Sequence, residues 1–172
     1  MIPDGDLVRS RVVTDLAPTL EDALDRRLDG YVIIVPREAL LFDADGVGVM
    51  TFEAGVPALA YHTETDRGGP PALADIGAAP YRVELYALAA DALDVPHSAD
   101  ELRVPPGMPA ERLAGNTALA ARTRRAATTD HEDDRDALET FLDDEAAIER
   151  LRDSARQEAA RRAEEWGFDD AL

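Results

Sequence analysis

The large apolar residues are divided unequally along this chain. Residues 1–104 hold 36 of the 47 Val, Ile, Leu, Met, Phe, Trp and Tyr residues, and the last 68 residues hold 11. A core can form only where such side chains are dense enough to exclude water from one another, which here means the first hundred residues. The bend Val104-Pro105-Pro106-Gly107-Met108-Pro109 closes that region. It is followed by an Arg-bearing stretch from Pro109 to Ala127, an acidic run from Asp130 to Glu145 and an Ala-rich end.

Within the first region the periods identify elements. Pro18-Thr19 opens a helix with Thr19 as expected N-cap, Glu21 and Asp22 in the first turn and Leu20, Ala23, Leu24 and Leu28 on one face, and Gly30 is expected to stop it. Tyr31-Val32-Ile33-Ile34-Val35 reads as a strand buried on both faces, closed by Pro36. Ala39 to Phe42 reads as a short strand, Asp43-Ala44-Asp45-Gly46 as a hairpin turn, Val47 to Phe52 as a strand, Glu53-Ala54-Gly55 as a tight turn with positive φ at Gly55, and Val56 to His62 as a further strand. Pro70-Pro71 opens a short helix through Leu73 and Ile76, with Gly77 at its end. Beyond it Tyr81, Val83 and Leu85 alternate with Arg82 and Glu84, the pattern of a sheet with one wet face.

The expected fold is therefore α+β. It comprises a leading helix, a mostly antiparallel sheet of four to five strands with a short helix, and a helical C-terminal extension. The division is a small α/β domain over 1–104 and an extension over 105–172 with an acidic linker at 128–145.

The charge composition points to a solvent. The chain has no lysine, and its eighteen basic residues, all Arg, stand against 36 acids for a net charge of -18. Such a surface repels itself in dilute buffer, whereas in molar salt the Debye length falls to about 3 Å and the repulsion is screened. This suits a cytoplasmic protein of a halophilic archaeon, where acids keep the surface hydrated and lysine's exposed alkyl stem is avoided. The absence of cysteine excludes thiol catalysis, disulfides and Cys-based zinc sites. Met1-Ile2-Pro3-Asp4-Gly5-Asp6 has no charged-then-apolar signal pattern, and no apolar run approaches the length of a membrane span.

Groups that could carry chemistry are few. Asp43-x-Asp45-Gly46 begins like a calcium loop, but Val47 and Ala54 stand where ligands would follow, so a turn is the better reading. His62, Glu64 and Asp66 alternate along one strand edge and leave open a metal-dependent protein or enzyme that draws further ligands from elsewhere. His97 and His131 are expected in solvated loops. Ser10, Ser98 and Ser154 lie in no nucleophile elbow. Gly68-Gly69 before Pro71 could offer N–H groups to an anion but lacks the phosphate-loop spacing. Arg112, Arg122, Arg124 and Arg125 form a basic patch, which admits a nucleic-acid-associated regulator. With no interleaved aromatic and acids close by, internal pairing or a protein contact is the better reading.

From Glu139 to Glu165 there is neither Pro nor Gly, and opposite charges recur three or four apart, as in Glu149/Arg152, Asp153/Arg156 and Glu158/Arg162. A long exposed helix is expected. Its apolar stripe of Ile148, Leu151, Ala155, Ala159, Ala163 and Trp166 packs either on the core or on a partner, and Ile148, Leu151, Ala155 and Trp166 are the expected partner contacts.

Over about residues 19–88 the chain resembles the small PATAN-type α/β modules of bacterial signalling proteins and related archaeal proteins. The resemblance rests on Asp29-Gly30-Tyr31, Phe52-Glu53-Ala54-Gly55, Ala58-Leu59-Ala60-Tyr61-His62 and Gly68-Gly69-Pro70-Pro71-Ala72-Leu73, with the two prolines before Ala72 departing from the pattern. It implies a non-catalytic regulatory or protein-binding module with no functional residues to carry over. The expectation is thus an adaptor rather than an enzyme, without cofactor or metal, engaging an unknown protein or a second copy through the C-terminal helix.

Overall fold

The computed structural model describes residues 4–36, 46–93, 99–143 and 145–165. The chain divides into two compact units, Met1–Ala127 and Thr128–Leu172.

The first unit is built on a six-stranded antiparallel sheet in the order β1-β6-β2-β3-β4-β5. Its strands are β1 (Asp6–Val13), β2 (Gly30–Pro36), β3 (Gly48–Glu53), β4 (Val56–His62), β5 (Arg67–Gly68) and β6 (Tyr81–Ala87). Helix α1 (Ala17–Asp25) joins β1 to β2, and α2 (Pro70–Asp75) joins β5 to β6. β6 inserts between β1 and β2 and runs antiparallel to both, giving a split β-α-β unit. The fold is mixed α+β, as expected, but a strand precedes the first helix and the sheet has six strands. The expected strand from Ala39 to Phe42 and most of the turn after it lie outside the described residues.

One sheet face carries the core. Val32 and Ile34 of β2, Met50 and Phe52 of β3, Ala60 of β4, and Tyr81, Val83 and Leu85 of β6 pack against Leu16, Leu20, Ala23 and Leu24 around α1 and Ala72, Leu73 and Ile76 around α2. Burial of this many aliphatic side chains at about 25 cal/mol per Å² is the main term holding the unit together. The core includes Val104 at the start of the proline bend and continues past the bend into Ala110, Leu119 and Ala120. Helix α3 (Met108–Arg112) and the first part of α4 (Thr117–Asp143) therefore belong to the first unit, which runs to Ala127 rather than ending near residue 104. Ala110, Leu119 and Ala120, with Met108, Leu113, Ala114, Ala126 and Ala127 packed partly buried against the core, seat these helices, although most of them are Ala and too small to mark a core in the sequence.

Helix α1 differs from its expected boundaries at both ends. It begins at Ala17, with Pro18 in its first turn, and Asp15 Oδ1 rather than Thr19 accepts the Ala17 N–H at 2.8 Å. Thr19 is instead a buried residue, 2% exposed, and the first turn contains no acid. The helix ends before Gly30. Leu28 N–H donates to Ala23 O at 3.0 Å and Arg27 N–H to Leu24 O at 3.1 Å, a Schellman pattern with Arg27 at φ 48. Gly30 opens β2, where a side chain would run into the Tyr86 carbonyl oxygen of the neighbouring strand.

The β3–β4 hairpin closes through Ala54-Gly55, both with positive φ (47 and 83), the signature of a two-residue type I′ turn. The turn is tied to the end of α1, because Gly55 N–H donates to Leu28 O at 2.9 Å and Ala54 N–H to Asp29 Oδ1 at 2.8 Å. The outer edge of β4 is covered by β5 and by the isolated bridge of Arg103 to Leu59, with Val104 N–H donating to Ala58 O at 3.0 Å. At the opposite edge, β1 carries a register shift between Leu7 and Arg9. Arg9 and Arg11 pair with Leu85 and Val83, placing their side chains on the core face. A bulge and inward-facing charges protect an edge strand from pairing with another chain.

The second unit contains the remainder of α4 and α5 (Glu145–Glu165). The acidic stretch 128–145, expected as a linker, is helical over 128–143. It contains neither Gly nor Pro to break a helix.

Candidate functional site

The His62 edge is arranged differently from its expected alternation. β4 ends at His62, and residues 63–66 turn into β5 with Asp66 at φ 51. His62 points to the core face and is 3% exposed. Its Nδ1 lies 3.1 Å from Thr65 Oγ1, the Thr65 hydroxyl donates to Asp75 Oδ2 at 2.7 Å, and Arg67 Nη1 stands 3.6 Å from the same carboxylate oxygen. Asp66 is engaged by Tyr61, the preceding residue on the opposite face, whose hydroxyl donates to Asp66 Oδ1 at 2.5 Å and whose phenol is pushed up by that bond. Glu64 stays with His62. Both close on Gly46, Glu64 Oε2 lying 2.7 Å and His62 Nε2 3.3 Å from the place a Cβ there would take. The edge thus brings His62 and Glu64 toward one point and sends Asp66 elsewhere. Among the described residues no three His, Asp or Glu side chains are grouped as a metal ion requires.

Two of the four arginines of the basic patch pair with acids of their own unit. Arg122 pairs with Asp25, the last residue of α1, and Arg124 Nη2 lies 2.6 Å from Glu111 Oε1 in α3. These contacts fasten α4 to the two helices beside it. The Gly68-Gly69 corner is likewise used structurally, since Gly69 N–H donates to Ala60 O at 2.9 Å. Asp43, Asp45 and His97 lie outside the described residues, and His131 lies in α4 rather than in a loop.

A polar cluster on the second sheet face was not evident from the sequence. Glu84 Oε1 accepts from Arg82 Nε at 3.0 Å and Nη2 at 2.6 Å, and Glu84 Oε2 accepts the Tyr86 hydroxyl at 2.9 Å. Tyr86 stacks on Tyr31 with ring centroids 4.8 Å apart. The Arg82 bonds, then the Tyr86 bond, hold the Glu84 carboxyl below its usual range, while the Glu84 bond pushes the Tyr86 phenol up. Alternation identified Arg82 and Glu84 as outward-facing, but the cross-strand neighbour Tyr31 becomes visible only with the register. A folded-state pKa below the unfolded one stabilises the protein above the unfolded value and loses that contribution as pH falls through the carboxylate range. The Glu84→Gln chain should therefore show a shallower loss of melting temperature between about pH 5 and pH 3 than the parent. An unchanged slope in a pH series of thermal scans would remove Glu84 from the acid sensitivity.

Leu7 and Val12 lie on this same face at the β1 end, 56% and 69% exposed. At the Asp6 end of β1, away from Val12, Asp4, Asp6, Ala87, Leu88 and Ala89 line an open depression of about 320 Å³. No nucleophile, base and orienting group meet around it.

In α5 the described side chains of Arg152–Ala159, including Ala155, are all exposed. Two of the expected ion pairs form along it, Asp153 with Arg156 at 3.3 Å and Glu158 with Arg162 at 2.6 Å. Ile148 and Leu151 lie within α5, with side chains beyond the described set, and Trp166 lies outside the described residues.

A family model matches residues 1–168, nearly the whole chain and both units. The chain belongs to the family DUF8572, a domain of unknown function. No curated protein and no solved structure matches it. The DUF8572 match therefore spans the sheet unit and α5 together, and among the described residues of this DUF8572 chain no helix is long and apolar enough to cross a membrane.

Proposed function

We propose that this DUF8572 chain is a non-catalytic adaptor or regulatory module of the cytoplasm of a halophilic archaeon, with the sheet unit as its stable body and α5 as its protein-binding element. The observation that carries this reading is the exposure of α5, whose described side chains from Arg152 to Ala159 face solvent along two turns. Helices in proteins draw most of their stability from packing an amphipathic face, and exposed ion pairs add only about 0.2 to 0.5 kcal/mol each. Burial of the stripe through Ile148, Leu151, Ala155 and Trp166 on another protein supplies what the helix lacks. The PATAN-type resemblance over residues 19–88 implies the same kind of role, and the lysine-free composition with net charge -18 supports a brine-filled cytoplasm as its setting.

The test is affinity capture in native high-salt lysate with the parent chain and with Ile148→Asp/Leu151→Asp. Charge placed in a desolvated contact should reduce captured protein at least tenfold. Equal capture by both chains would remove α5 from the binding element.

A further inference from the structure

A stretch inside the exposed helix is opposite in charge to the segment that precedes the helix. Residues 127–139, in α4, contain six acids and one Arg, whereas residues 150–162, in α5, contain five Arg and two acids, in a chain whose overall balance is -18. Within and between the two segments lie large apolar residues, among them Leu138 and Phe141 in α4 and Ile148 and Leu151 in α5. These four are symmetrically spaced about the α4–α5 junction. Antiparallel pairing of two chains about that junction sets Phe141 opposite Ile148 and Leu138 opposite Leu151. The same register sets residues 127–139 of one chain along residues 150–162 of the other. A parallel pairing would lay the acidic segment on its own copy, which like charges oppose.

We infer that the partner of α5 is a second copy of this chain, α5 of each copy lying antiparallel along the acidic second half of α4 of the other. The inference rests on the proposal that α5 is the protein-binding element and names its occupant. In molar salt, screened beyond about 3 Å, contact ion pairs set the orientation and the four apolar residues supply the affinity. The contacts of Asp153 with Arg156 and of Glu158 with Arg162 are exposed pairs within one helix and are weak enough to exchange for contacts across the pair.

The chain has no cysteine, so single introduced thiols report the arrangement directly. Asp134 and Ala155 lie one heptad outward from Phe141 and Ile148 and face each other in the antiparallel register. Full-length Asp134→Cys and Ala155→Cys chains are treated with a short bismaleimide in molar potassium chloride, separately and mixed, and their masses are measured by light scattering beforehand. The expected result is a dimer mass with crosslinked product formed at least tenfold more in the mixture than in either chain alone. Crosslinking in each chain alone indicates a parallel pair and overturns the inference. A monomer mass at all concentrations also overturns it, and the adaptor reading is then decided separately by the capture experiment. Equal thermal unfolding of the two variants and the parent shows that the substitutions leave the sheet unit folded.

Discussion

Replacing Gly55 by valine is expected to destabilise the sheet unit by about 3 to 5 kcal/mol, a large part of the about 5 to 15 kcal/mol that holds a domain of this size folded. Two effects combine. At φ 83 a β-branched residue meets the steric cost of the left-handed region, about 1 to 2 kcal/mol or more. The new Cβ would also stand 2.5 Å from Ala23 O and 2.7 Å from Leu24 Cα, so the hairpin must lift from the end of α1 and strain the Gly55-to-Leu28 and Ala54-to-Asp29 hydrogen bonds. Chemical denaturation in molar salt measures the difference. A loss under about 1 kcal/mol would mean that the hairpin and helix are not in this contact.

The second large effect is expected from desalting. With net charge -18, the Debye length grows from about 3 Å in molar salt to about 30 Å in 10 mM buffer, so the acids repel one another across the molecule. Pairs that join separate elements, such as Arg9 with Asp22 at 3.4 Å and Arg124 with Glu111 at 2.6 Å, neutralise too few of the 36 acids to offset this. The protein should unfold cooperatively on heating in molar potassium chloride and lose that transition after dialysis into low salt. A melting temperature independent of salt would contradict the reading of the composition as an adaptation to brine.

Elements set by local pattern were legible in the sequence. The apolar run Tyr31 to Val35 lies in β2, an interior strand, and the alternation from Tyr81 to Leu85 is a sheet with one polar face. The turn at Gly55 needed only its own residues to be identified. Strand β1 was not legible, because Leu7-Val8 and Val12-Val13 are interrupted by Arg9 and Arg11 and its pairing is to β6, far along the chain. The sequence pattern sets the helix start later than Ala17 because Asp15, not Thr19, accepts the first N–H, and Thr19 is buried in the core. The His62, Glu64 and Asp66 alternation assumed a strand that ends at His62, and the turn that follows separates Asp66 from the other two. Arg122 and Arg124 read as part of a basic patch with internal pairing, but their partners Asp25 and Glu111 become identifiable only when α4 is laid beside α1 and α3.

On the reading proposed above, the stripe of α5 serves a protein contact instead of completing the core of its own chain. The melting temperature of the Ile148→Asp/Leu151→Asp chain, measured at low protein concentration in molar potassium chloride, tests it most directly. A stripe that binds a partner gives a transition within about 2 °C of the parent. A transition lowered by about 10 °C or more would show the stripe packed on the core and would contradict the claim.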